Sequence, residues 1–270
     1  MSFRNTKMAD VYLIAGQSNA LGVSPCAGLP PDFKNNGSVM LYQSGAFSGV
    51  RAIDPAVCGR FIPVRPGLGH AADYFGLELG MAAALTDGAY LIKYACDGTS
   101  LYREWRPPST GPLPAGFMPN YINPNATAAG AHYAGLIACV RNGLAELKRV
   151  YGLRGVLRGL AWNQGGSDAL GEDSAATYGD NLTTFIRDVR AALDAPELPV
   201  AVGMAYPGGA LKPYVQHVRA GQLKAAAALP RVVTVETLDL EIRADDPWHF
   251  SAASELELGT RFIEALKNNG

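Results

Sequence analysis

Three residues of this sequence have the types and the spacing that nucleophilic catalysis by a serine requires. Ser18 follows an apolar run that stops at Gly16, and Asp246 stands three residues before His249. A serine hydroxyl becomes a nucleophile when a base accepts its proton, a carboxylate orients that base, and hydrogen-bond donors face the developing oxyanion. Because one loop carries both Asp246 and His249, the acid can bond to one ring nitrogen and leave the other for Ser18. The sequence therefore offers a nucleophile, a base and an orienting acid.

These residue types also have simpler interpretations. The segment Gly16-Gln17-Ser18-Asn19 can be a turn with a capping serine. A single histidine is usually a structural or surface residue, and we interpret His70, His132 and His217 in that way. For His249, the neighbouring acid and the position after a strand favour a catalytic role.

Other catalytic signatures are missing from the sequence. The Gly-x-Ser-x-Gly elbow of α/β-hydrolases is absent, because Ala20 stands where the second glycine would be. There is no Walker A sequence, no Gly-x-Gly-x-x-Gly after the first strand and no His-Glu-x-x-His. We therefore expect no phosphate-binding loop, no dinucleotide site and no catalytic zinc.

Strand and helix patterns alternate along the whole chain. The predicted strands are 11–16, 38–43, 89–95, 154–162, 199–204 and 231–237, and the predicted helices are 71–85, 131–150, 175–193, 214–229 and 251–267. A chain that alternates in this way packs as a parallel sheet between two layers of helices. Because no internal repeat or linker divides it, we expect a single α/β domain over residues 1–270.

The predicted strands also place the candidate residues together. Three strands end in small polar turns, at Ser18, at Gly98 and at Gln164, and a fourth polar loop carries Asp246 and His249. In a parallel sheet the carboxyl ends of the strands lie along one edge, which is where ligand sites form in open α/β folds. We therefore expect these turns to surround one site.

Composition argues against several classes of partner. The formal charge is −1, from 23 basic and 24 acidic residues, and no basic cluster is interleaved with aromatic residues. Nucleic acid and anionic membrane surfaces are therefore not expected partners. The longest stretch without acidic or basic residues, between Arg106 and Arg141, contains six prolines, which excludes a spanning helix there. Oligomeric state is not predicted by the sequence.

The N-terminal residues and the cysteines bear on the compartment. Residues 1–10 contain no apolar segment typical of a secretory signal, so the sequence as written predicts a cytoplasmic protein, although a trimmed secreted chain would look the same. Four cysteines are widely spaced, at Cys26, Cys58, Cys96 and Cys139. We interpret them as thiols, with a bridge between Cys26 and Cys58 as the alternative.

Four sequence blocks each lie at the end of a predicted strand. The blocks are Leu13-Ile14-Ala15-Gly16-Gln17-Ser18-Asn19, then Ile92-Lys93-Tyr94-Ala95-Cys96-Asp97-Gly98-Thr99-Ser100-Leu101 with Trp105, then Trp162-Asn163-Gln164-Gly165-Gly166-Ser167-Asp168-Ala169, and finally Asp246-Pro247-Trp248-His249. In their residues and their order they resemble the SGNH hydrolase superfamily. Within it, they are most similar to the branch that holds sialate O-acetylesterase-like proteins and the acetylxylan esterases of carbohydrate esterase family six.

The resemblance implies a fold and a set of roles. The fold would be a three-layer α/β/α sandwich with a flavodoxin-like parallel sheet. Ser18 would be the nucleophile, His249 the general base and then acid, and Asp246 the orienting acid. The oxyanion hole would consist of the backbone N–H groups of Ser18 and Gly98 and the side-chain amide of Gln164. No metal and no cofactor are implied.

The third block departs from the family pattern. Relatives usually have Gln-Gly-Glu there, whereas Gly166 replaces the acid in this chain. A missing carboxylate would loosen the position of Gln164 or remove a substrate contact. Asp97 stands where a second glycine is common, which is a milder departure.

Residues near the blocks could form a sugar pocket. We assign Gln17, Arg103, Trp105 and Trp248 to it, because aromatic faces pack on the apolar face of a pyranose. The alternative is that these side chains only pack on the domain.

Together, these features predict an esterase that removes acetyl or other short acyl groups from sugar hydroxyls through an acyl-serine intermediate. The expected partner is an acetylated carbohydrate. Two alternatives remain at this point: a lipase-like or thioesterase activity on acyl chains, and a non-catalytic carbohydrate-binding relative.

Overall fold

The order of helices and strands follows the alternation expected from the sequence. The computed structural model describes residues 7–44, 53–85, 88–115 and 128–270. In chain order the elements are β1 (Met8–Gly16), α1 (Ser18–Leu21), β2 (Ser24–Pro25), β3 (Met40–Gln43), β4 (Phe61–Pro63), β5 (Tyr74–Phe75), α2 (Leu77–Ala84), β6 (Tyr90–Ala95), α3 (Ala131–Glu146), β7 (Arg154–Asn163), α4 (Glu172–Ala176), α5 (Tyr178–Ala192), β8 (Val200–Gly203), α6 (Val215–Ala228), β9 (Val232–Val235), β10 (Ile242–Arg243), β11 (Asp246–Phe250) and α7 (Ala252–Asn268).

Within the described residues, seven strands form the central sheet in the order β4-β3-β6-β1-β7-β8-β9. All neighbouring pairs are parallel except β3 and β4, which are antiparallel. The five strands β6-β1-β7-β8-β9 have the 2-1-3-4-5 order of flavodoxin-like sheets, in which ligands bind beside the first strand. The predicted α/β/α fold with a flavodoxin-like sheet is confirmed.

Two hydrophobic layers cover the sheet. Along β1, side chains alternate between the faces: Val11, Leu13 and Ala15 enter one core, and Tyr12 and Ile14 enter the other. Helices α3, α5 and α6 cover the first face, and α1, α2 and α7 cover the second. Because β1 is buried on both sides, its sequence is an apolar run rather than an alternating pattern.

Some boundaries differ from those predicted. Residues 71–76 are not helical, because Tyr74–Phe75 pairs with Ser24–Pro25 as a short ribbon. The predicted helix 175–193 is divided at Thr177 into α4 and α5. The predicted loop that carries His249 contains strand β11, which pairs antiparallel with β10. Two of the six prolines after Arg106, at positions 119 and 124, lie outside the described residues.

Two further predictions can be compared with the structure. None of the four cysteines, all of which the structure describes, forms a disulfide, so the alternative of a bridge between Cys26 and Cys58 is wrong. In the part of the chain that the structure describes, no helix combines the length and the apolar character needed to cross a membrane.

Candidate active site

A pocket of about 330 Å³ opens at the carboxyl edge of the sheet, next to the end of β1. The described residues that line it are Gln17, Ser18, Asp97, Gly98, Gly166, Ser167, Leu170, Lys212, Asp246, Trp248 and His249. They follow β1, β6, β7 and β8 or belong to β11. The structure thus brings Ser18, Gly98, Asp246 and His249 to one pocket, as the strand ends predicted.

Gly16 ends β1 in a way that only glycine allows. Its φ is +144°, and a Cβ atom there would lie 2.1 Å from the backbone oxygen of Asn163. The chain therefore passes close against β7, and the N–H of Gln17 donates to the same oxygen over 3.1 Å. Helix α1 begins at the next residue, Ser18, which is 5% exposed. The abrupt end of the strand places the Ser18 hydroxyl at the pocket.

His249 and Asp246 form a short contact. The distance from His249 Nδ1 to Asp246 Oδ2 is 2.6 Å, and the backbone N–H of Trp248 donates to Asp246 Oδ1 over 3.0 Å. Burial opposes ionisation of Asp246, but hydrogen bonds from His249 and Trp248 and the nearby charge of Arg243 outweigh it, so its pKa lies below the usual value. An ionised Asp246 favours a proton on Nδ1, which leaves Nε2 as the basic nitrogen.

Asn19 connects the helix of Ser18 to the strand of His249. The N–H of Phe250 donates to Asn19 Oδ1 over 3.4 Å, and Ser24 Oγ donates to the oxygen of Phe250 over 3.1 Å. Ser18 and His249 line the same pocket from these two connected elements.

Two backbone N–H groups at the pocket are suitable oxyanion donors. Ser18 is the first residue of α1, where N–H groups have no partner within the helix. Gly98 adopts a left-handed turn with φ +63°, and it too lines the pocket. Thr99 Oγ1 donates to the oxygen of Cys96 over 2.7 Å and thereby closes the turn around Gly98.

The sequence analysis expects the side-chain amide of Gln164 in the oxyanion hole, but Gln164 is not among the described residues that line the pocket. Its amide nitrogen donates to the oxygen of Thr99 over 3.0 Å and to Asp168 Oδ2 over 2.7 Å. The Tyr178 hydroxyl lies 3.0 Å from its amide oxygen. Since an amide nitrogen carries two hydrogens, both are already bonded inside the protein. The side chain joins the second and third blocks below the pocket.

Gln17 presents a second amide, and this one lines the pocket. Its Oε1 accepts from the backbone N–H of Gly165 over 3.3 Å and of Ser167 over 3.2 Å. Backbone N–H groups can only donate, so they fix which end of the amide is oxygen. The Gln17 amide nitrogen lies beside Gly166, where a Cβ atom would be 3.1 Å from it. Glycine at position 166 therefore leaves room for this amide at the pocket wall.

Asp168 supports the same wall, a role that the sequence did not predict. Its carboxylate accepts from the backbone N–H groups of Leu101 and Tyr102 over 2.8 and 3.0 Å, in addition to Gln164. Burial raises its pKa to about 7 although these hydrogen bonds favour the ionised form. A carboxylate four residues after Gln164 was the only sequence signal for this contact.

A buried cation holds the other end of α1. Lys93 Nζ donates to the backbone oxygen of Leu21 over 3.1 Å and of Leu68 over 2.8 Å, and it forms an ion pair with Glu78 Oε2 at 3.0 Å. Lys93 and Glu78 are both 0% exposed. Leu21 is the last residue of α1, so this cluster fixes the helix that begins with Ser18.

Two of the predicted pocket residues are located elsewhere. Trp105 is 0% exposed, packs edge-on against Trp162 with ring centres 5.1 Å apart, and donates from Nε1 to Thr99 Oγ1 over 2.8 Å. Arg103 is not among the lining residues, and its guanidinium lies 3.9 Å from Glu104. The loop turns back at Ser100, whose oxygen accepts from the N–H of Trp105, and this directs the indole into the core. Neither Trp105 nor Arg103 is among the described residues that line the pocket with Ser18.

Lys212 is a pocket residue that sequence reasoning missed. It lies in the connection between β8 and α6, is 5% exposed, and lines the pocket beside Trp248. Its Nζ lies 5.6 Å from the centre of the Trp248 ring. No motif surrounds Lys212, so the sequence alone gave no signal for it. Trp248 itself is 38% exposed and lines the pocket, as predicted.

Metal-ligating side chains do not cluster in the described part of the chain. Groups of three or more His, Cys, Asp or Glu residues that could hold an ion are absent from it.

Comparisons with known proteins agree on one family. A family model described as carbohydrate esterase, sialic acid-specific acetylesterase, matches residues 8–268. A protein of Arabidopsis thaliana described as a probable carbohydrate esterase is 32% identical over 116 residues, which are 43% of this chain and 42% of that protein. The aligned region thus spans less than half of that relative.

Solved structures share the fold. The crystal structure of an Arabidopsis thaliana protein superimposes with a TM-score of 0.69 at 22% identity, over 97% of this chain and 99% of the other. A carbohydrate acetylesterase from Xanthomonas citri gives a TM-score of 0.62 at 17% identity, over 96% of this chain and 56% of the other. NanS gives 0.62 at 15% identity, over 97% and 98%.

Proposed function

This chain belongs to the carbohydrate esterase family described as sialic acid-specific acetylesterases, and we propose that it removes acetyl or other short acyl groups from sugar hydroxyls through an acyl-Ser18 intermediate. Membership confirms the resemblance inferred from the four sequence blocks and supports an esterase activity. The observation that carries the proposal is the 2.6 Å contact between His249 and Asp246 in the pocket that also contains Ser18.

In the first half of the reaction, Ser18 Oγ attacks the carbonyl carbon of the ester while His249 Nε2 accepts its proton. Asp246 stabilises the resulting imidazolium through Nδ1. The negative charge on the former carbonyl oxygen is stabilised by the N–H groups of Ser18 and Gly98. When the intermediate collapses, the bond to the sugar oxygen breaks, and His249 returns the proton to that oxygen.

In the second half, water replaces the sugar. His249 takes a proton from water, the hydroxyl oxygen attacks the acyl carbon, and the bond to Ser18 Oγ breaks. The proton then returns to Ser18, and a carboxylic acid leaves, which loses its own proton to water. Each proton passes through His249, so no further acid or base is required.

The side-chain donor to the oxyanion is Gln17 in this proposal rather than Gln164. The Gln164 amide nitrogen is committed to Thr99 and Asp168, whereas the Gln17 amide nitrogen forms no hydrogen bond with another described residue. Gln17 directly precedes Ser18 and lines the pocket, so its amide can reach the carbonyl that Ser18 attacks.

The lining of the pocket supports a sugar substrate over a long acyl chain. Only Leu170 and Trp248 are large apolar residues among the described side chains that line it. Polar groups that converge with one exposed indole suit a hydroxylated ring better than an alkyl tail. Hydrolysis of p-nitrophenyl esters should accordingly be fastest for acetate and slower for octanoate.

The first test is the replacement Ser18→Ala. We expect the turnover of p-nitrophenyl acetate to fall by roughly 10⁴- to 10⁶-fold, because no acyl-enzyme can form. A fluorophosphonate probe should add one label to the wild-type protein, which peptide mapping should assign to Ser18. The exposed serine variant Ser109→Ala is the control and should retain both turnover and labelling.

Unchanged hydrolysis by Ser18→Ala would overturn the proposed role of this residue. Failure of the probe to label the protein, combined with binding of acetylated glycans without acetate release, would support a non-catalytic carbohydrate-binding protein instead.

A further inference from the structure

Arg243 lies beside the orienting acid Asp246, although it is not among the described residues that line the pocket. It ends β10 and pairs with Asp246, the first residue of β11, across the turn 244–245. Residues that face each other in an antiparallel pair have side chains on the same side of the ribbon. Arg243 Nη1 accordingly lies 3.8 Å from Asp246 Oδ2, the oxygen that contacts His249. The hairpin thus places a cation next to the Asp246–His249 pair.

Two further contacts fix the guanidinium group of Arg243. Its Nε and Nη2 donate to the two carboxylate oxygens of Asp245 over 3.1 and 2.7 Å, and its Nη1 donates to the backbone oxygen of Val23 over 3.0 Å. The side chain of Arg243 is 14% exposed, whereas that of Asp245 is 74% exposed. Solvent weakens the field of an exposed carboxylate, so Asp245 holds the guanidinium in place but offsets only part of its charge.

The hydrogen bond to Val23 connects the orienting acid to the nucleophile. Val23 is buried and follows Gly22, the residue that caps α1, while Ser18 is the first residue of the same helix. A hydrogen bond from a charged donor to a buried oxygen is stronger than one between neutral groups. One side chain therefore joins the end of the Ser18 helix to the hairpin that carries Asp246.

The charge of Arg243 also acts on the ionisation of the pair. Burial raises the pKa of Asp246, but hydrogen bonds from His249 and Trp248, followed by the charge of Arg243, bring it below the usual value. Hydrogen bonding to Asp245 raises the pKa of Arg243 itself, so the guanidinium stays charged. A fixed cation favours an ionised Asp246 and opposes a second proton on His249. Both effects preserve the reactive state, an ionised acid beside a neutral imidazole, as the pH falls.

We propose that Arg243 is a positioning residue of the esterase, which aligns Asp246 with the helix of Ser18 and keeps the Asp246–His249 pair in its reactive ionisation state. The inference rests on the proposed function and adds a residue to its mechanism. Arg243 acts through Asp246 and not on the substrate, because it lies behind the acid as seen from His249 and outside the pocket lining.

The pH dependence of kcat/KM on p-nitrophenyl acetate, measured between about pH 4 and 8, tests this role. In Arg243→Met we expect the acid limb to move to higher pH by about 0.5 unit or more, because a unit charge about 4 Å away shifts a pKa by that amount even in water. An acid limb at the wild-type position would overturn the inference.

Other charged and titratable groups face the pair or its arginine. Asp245 and Tyr74 lie near the guanidinium, and Asp97 and Lys212 line the pocket together with His249. All four are unchanged in the Arg243 variants. A difference between the acid limbs of wild type and variant therefore reports the loss of the guanidinium.

The conservative variant Arg243→Lys separates the charge from the geometry. Lysine keeps the cation but lacks the planar fork that contacts Val23 and Asp245 together. We expect its acid limb to lie close to that of the wild type, whereas kcat at the optimum falls by about 3- to 10-fold. In Arg243→Met, kcat should fall by about 10- to 100-fold in addition to the shift of the limb. Identical acid limbs in the two variants would contradict the proposed effect of the charge.

Arg158→Met is the matched control. It removes an arginine of β7 that forms an ion pair with Asp10 at 2.7 Å and is not among the described residues that line the pocket. Both kcat and the acid limb should stay at their wild-type values. If Arg243→Met does not fold, Arg243→Gln, which keeps an N–H donor and removes the charge, replaces it in the comparison with Arg243→Lys.

The outcomes separate this inference from the proposed function. No hydrolysis by the wild-type protein, or hydrolysis that persists in Ser18→Ala, would overturn the esterase mechanism. Hydrolysis that depends on Ser18 but keeps its kcat and its acid limb without the charge of Arg243 would overturn only the role of this residue.

Discussion

At the scale of single residues, two glutamine amides have different surroundings. Gln164 is 3% exposed, and its amide nitrogen donates hydrogen bonds to Thr99 and Asp168. Gln17 uses its oxygen to accept from the third block, which leaves its nitrogen at the pocket. One amide therefore supports the wall, and the other is placed to act on the substrate.

The variant Gln17→Glu tests this division, because it keeps the accepting oxygen and replaces the N–H donor. We expect kcat on p-nitrophenyl acetate to fall by about 10² to 10³, with a small change in melting temperature. Gln17→Met, which is neutral, should show a comparable fall in kcat. Wild-type kcat in both variants would remove Gln17 from the oxyanion hole.

In contrast to the Gln17 variants, whose main effect is expected on kcat, Gln164→Glu should mainly lower the stability of the protein. A carboxylate at this position would face the acceptors Asp168 Oδ2 and Thr99 O, so the melting temperature should drop measurably in a thermal scan. An unchanged melting temperature in Gln164→Glu would indicate that the hydrogen bonds from Gln164 to Thr99 and Asp168 contribute little to the stability of the protein.

At the scale of elements, α1 is four residues long and cannot hold its own position. Gly16 fixes its first turn against β7, Asn19 joins it to β11, and Lys93 holds the carbonyl of Leu21 at its end. The nucleophile is thus positioned by three contacts that lie on different strands of the sheet or beside it.

Replacement of Lys93 should distinguish its contribution to the stability of the protein from its role in positioning α1. Lys93→Met leaves Glu78 as an unpaired buried charge, so the free energy of unfolding should fall by about 3–5 kcal/mol. In Lys93→Met/Glu78→Gln the unpaired charge is gone, and we expect urea unfolding to recover most of this loss. The donor to Leu21 stays absent, so kcat should remain below that of the wild type. Full recovery of kcat in the double variant would show that Lys93 has no positioning role.

At the scale of the whole molecule, the structure carries a buried acid between its layers. Glu255 on α7 is 0% exposed, and neither carboxylate oxygen has a hydrogen-bond partner in the described residues. Burial and, to a lesser extent, the charge of Glu78 raise its pKa well above the usual value, while Lys93 opposes this. The folded protein therefore binds a proton that the unfolded chain releases near pH 4.

This proton makes stability depend on pH in a defined direction. The contribution of Glu255 is complete below the unfolded pKa and declines as pH rises toward the folded pKa. Glu255→Gln cannot titrate, so its unfolding free energy relative to the wild type should increase by about 1.4 kcal/mol per pH unit within that window. Urea unfolding at pH 5, 6 and 7 measures the difference. Glu264→Gln, which replaces an exposed residue on the same helix, is the control variant, and a flat profile for Glu255→Gln would refute the assignment.

The sequence by itself determined the layered α/β/α fold, the edge of the sheet at which the site lies, and the candidate catalytic residues. Apolar runs that stop at glycine identify parallel strands, and parallel strands bring their carboxyl ends to one edge whatever the details of packing. The three-residue spacing of Asp246 and His249 is local, so their 2.6 Å contact was predictable without knowledge of the fold. Ser18 and Gly98 reach the pocket because they follow the parallel strands β1 and β6, and Trp248 reaches it because it is next to His249 in the sequence.

Only the tertiary structure decided where the remaining side chains point. Trp105 and Gln164 lie in or beside the pocket-forming blocks, but Trp105 packs inward on Trp162 of β7, and Gln164 donates to the oxygen of Thr99, which follows β6. Gln164 donates to Gln17 Oε1 although the two residues are 147 positions apart in the sequence. Lys212, in the connection between β8 and α6, places its Nζ over the ring of Trp248 in β11. Local spacing fixes the position of a backbone, whereas the direction of a side chain depends on which distant donor or acceptor satisfies it on burial.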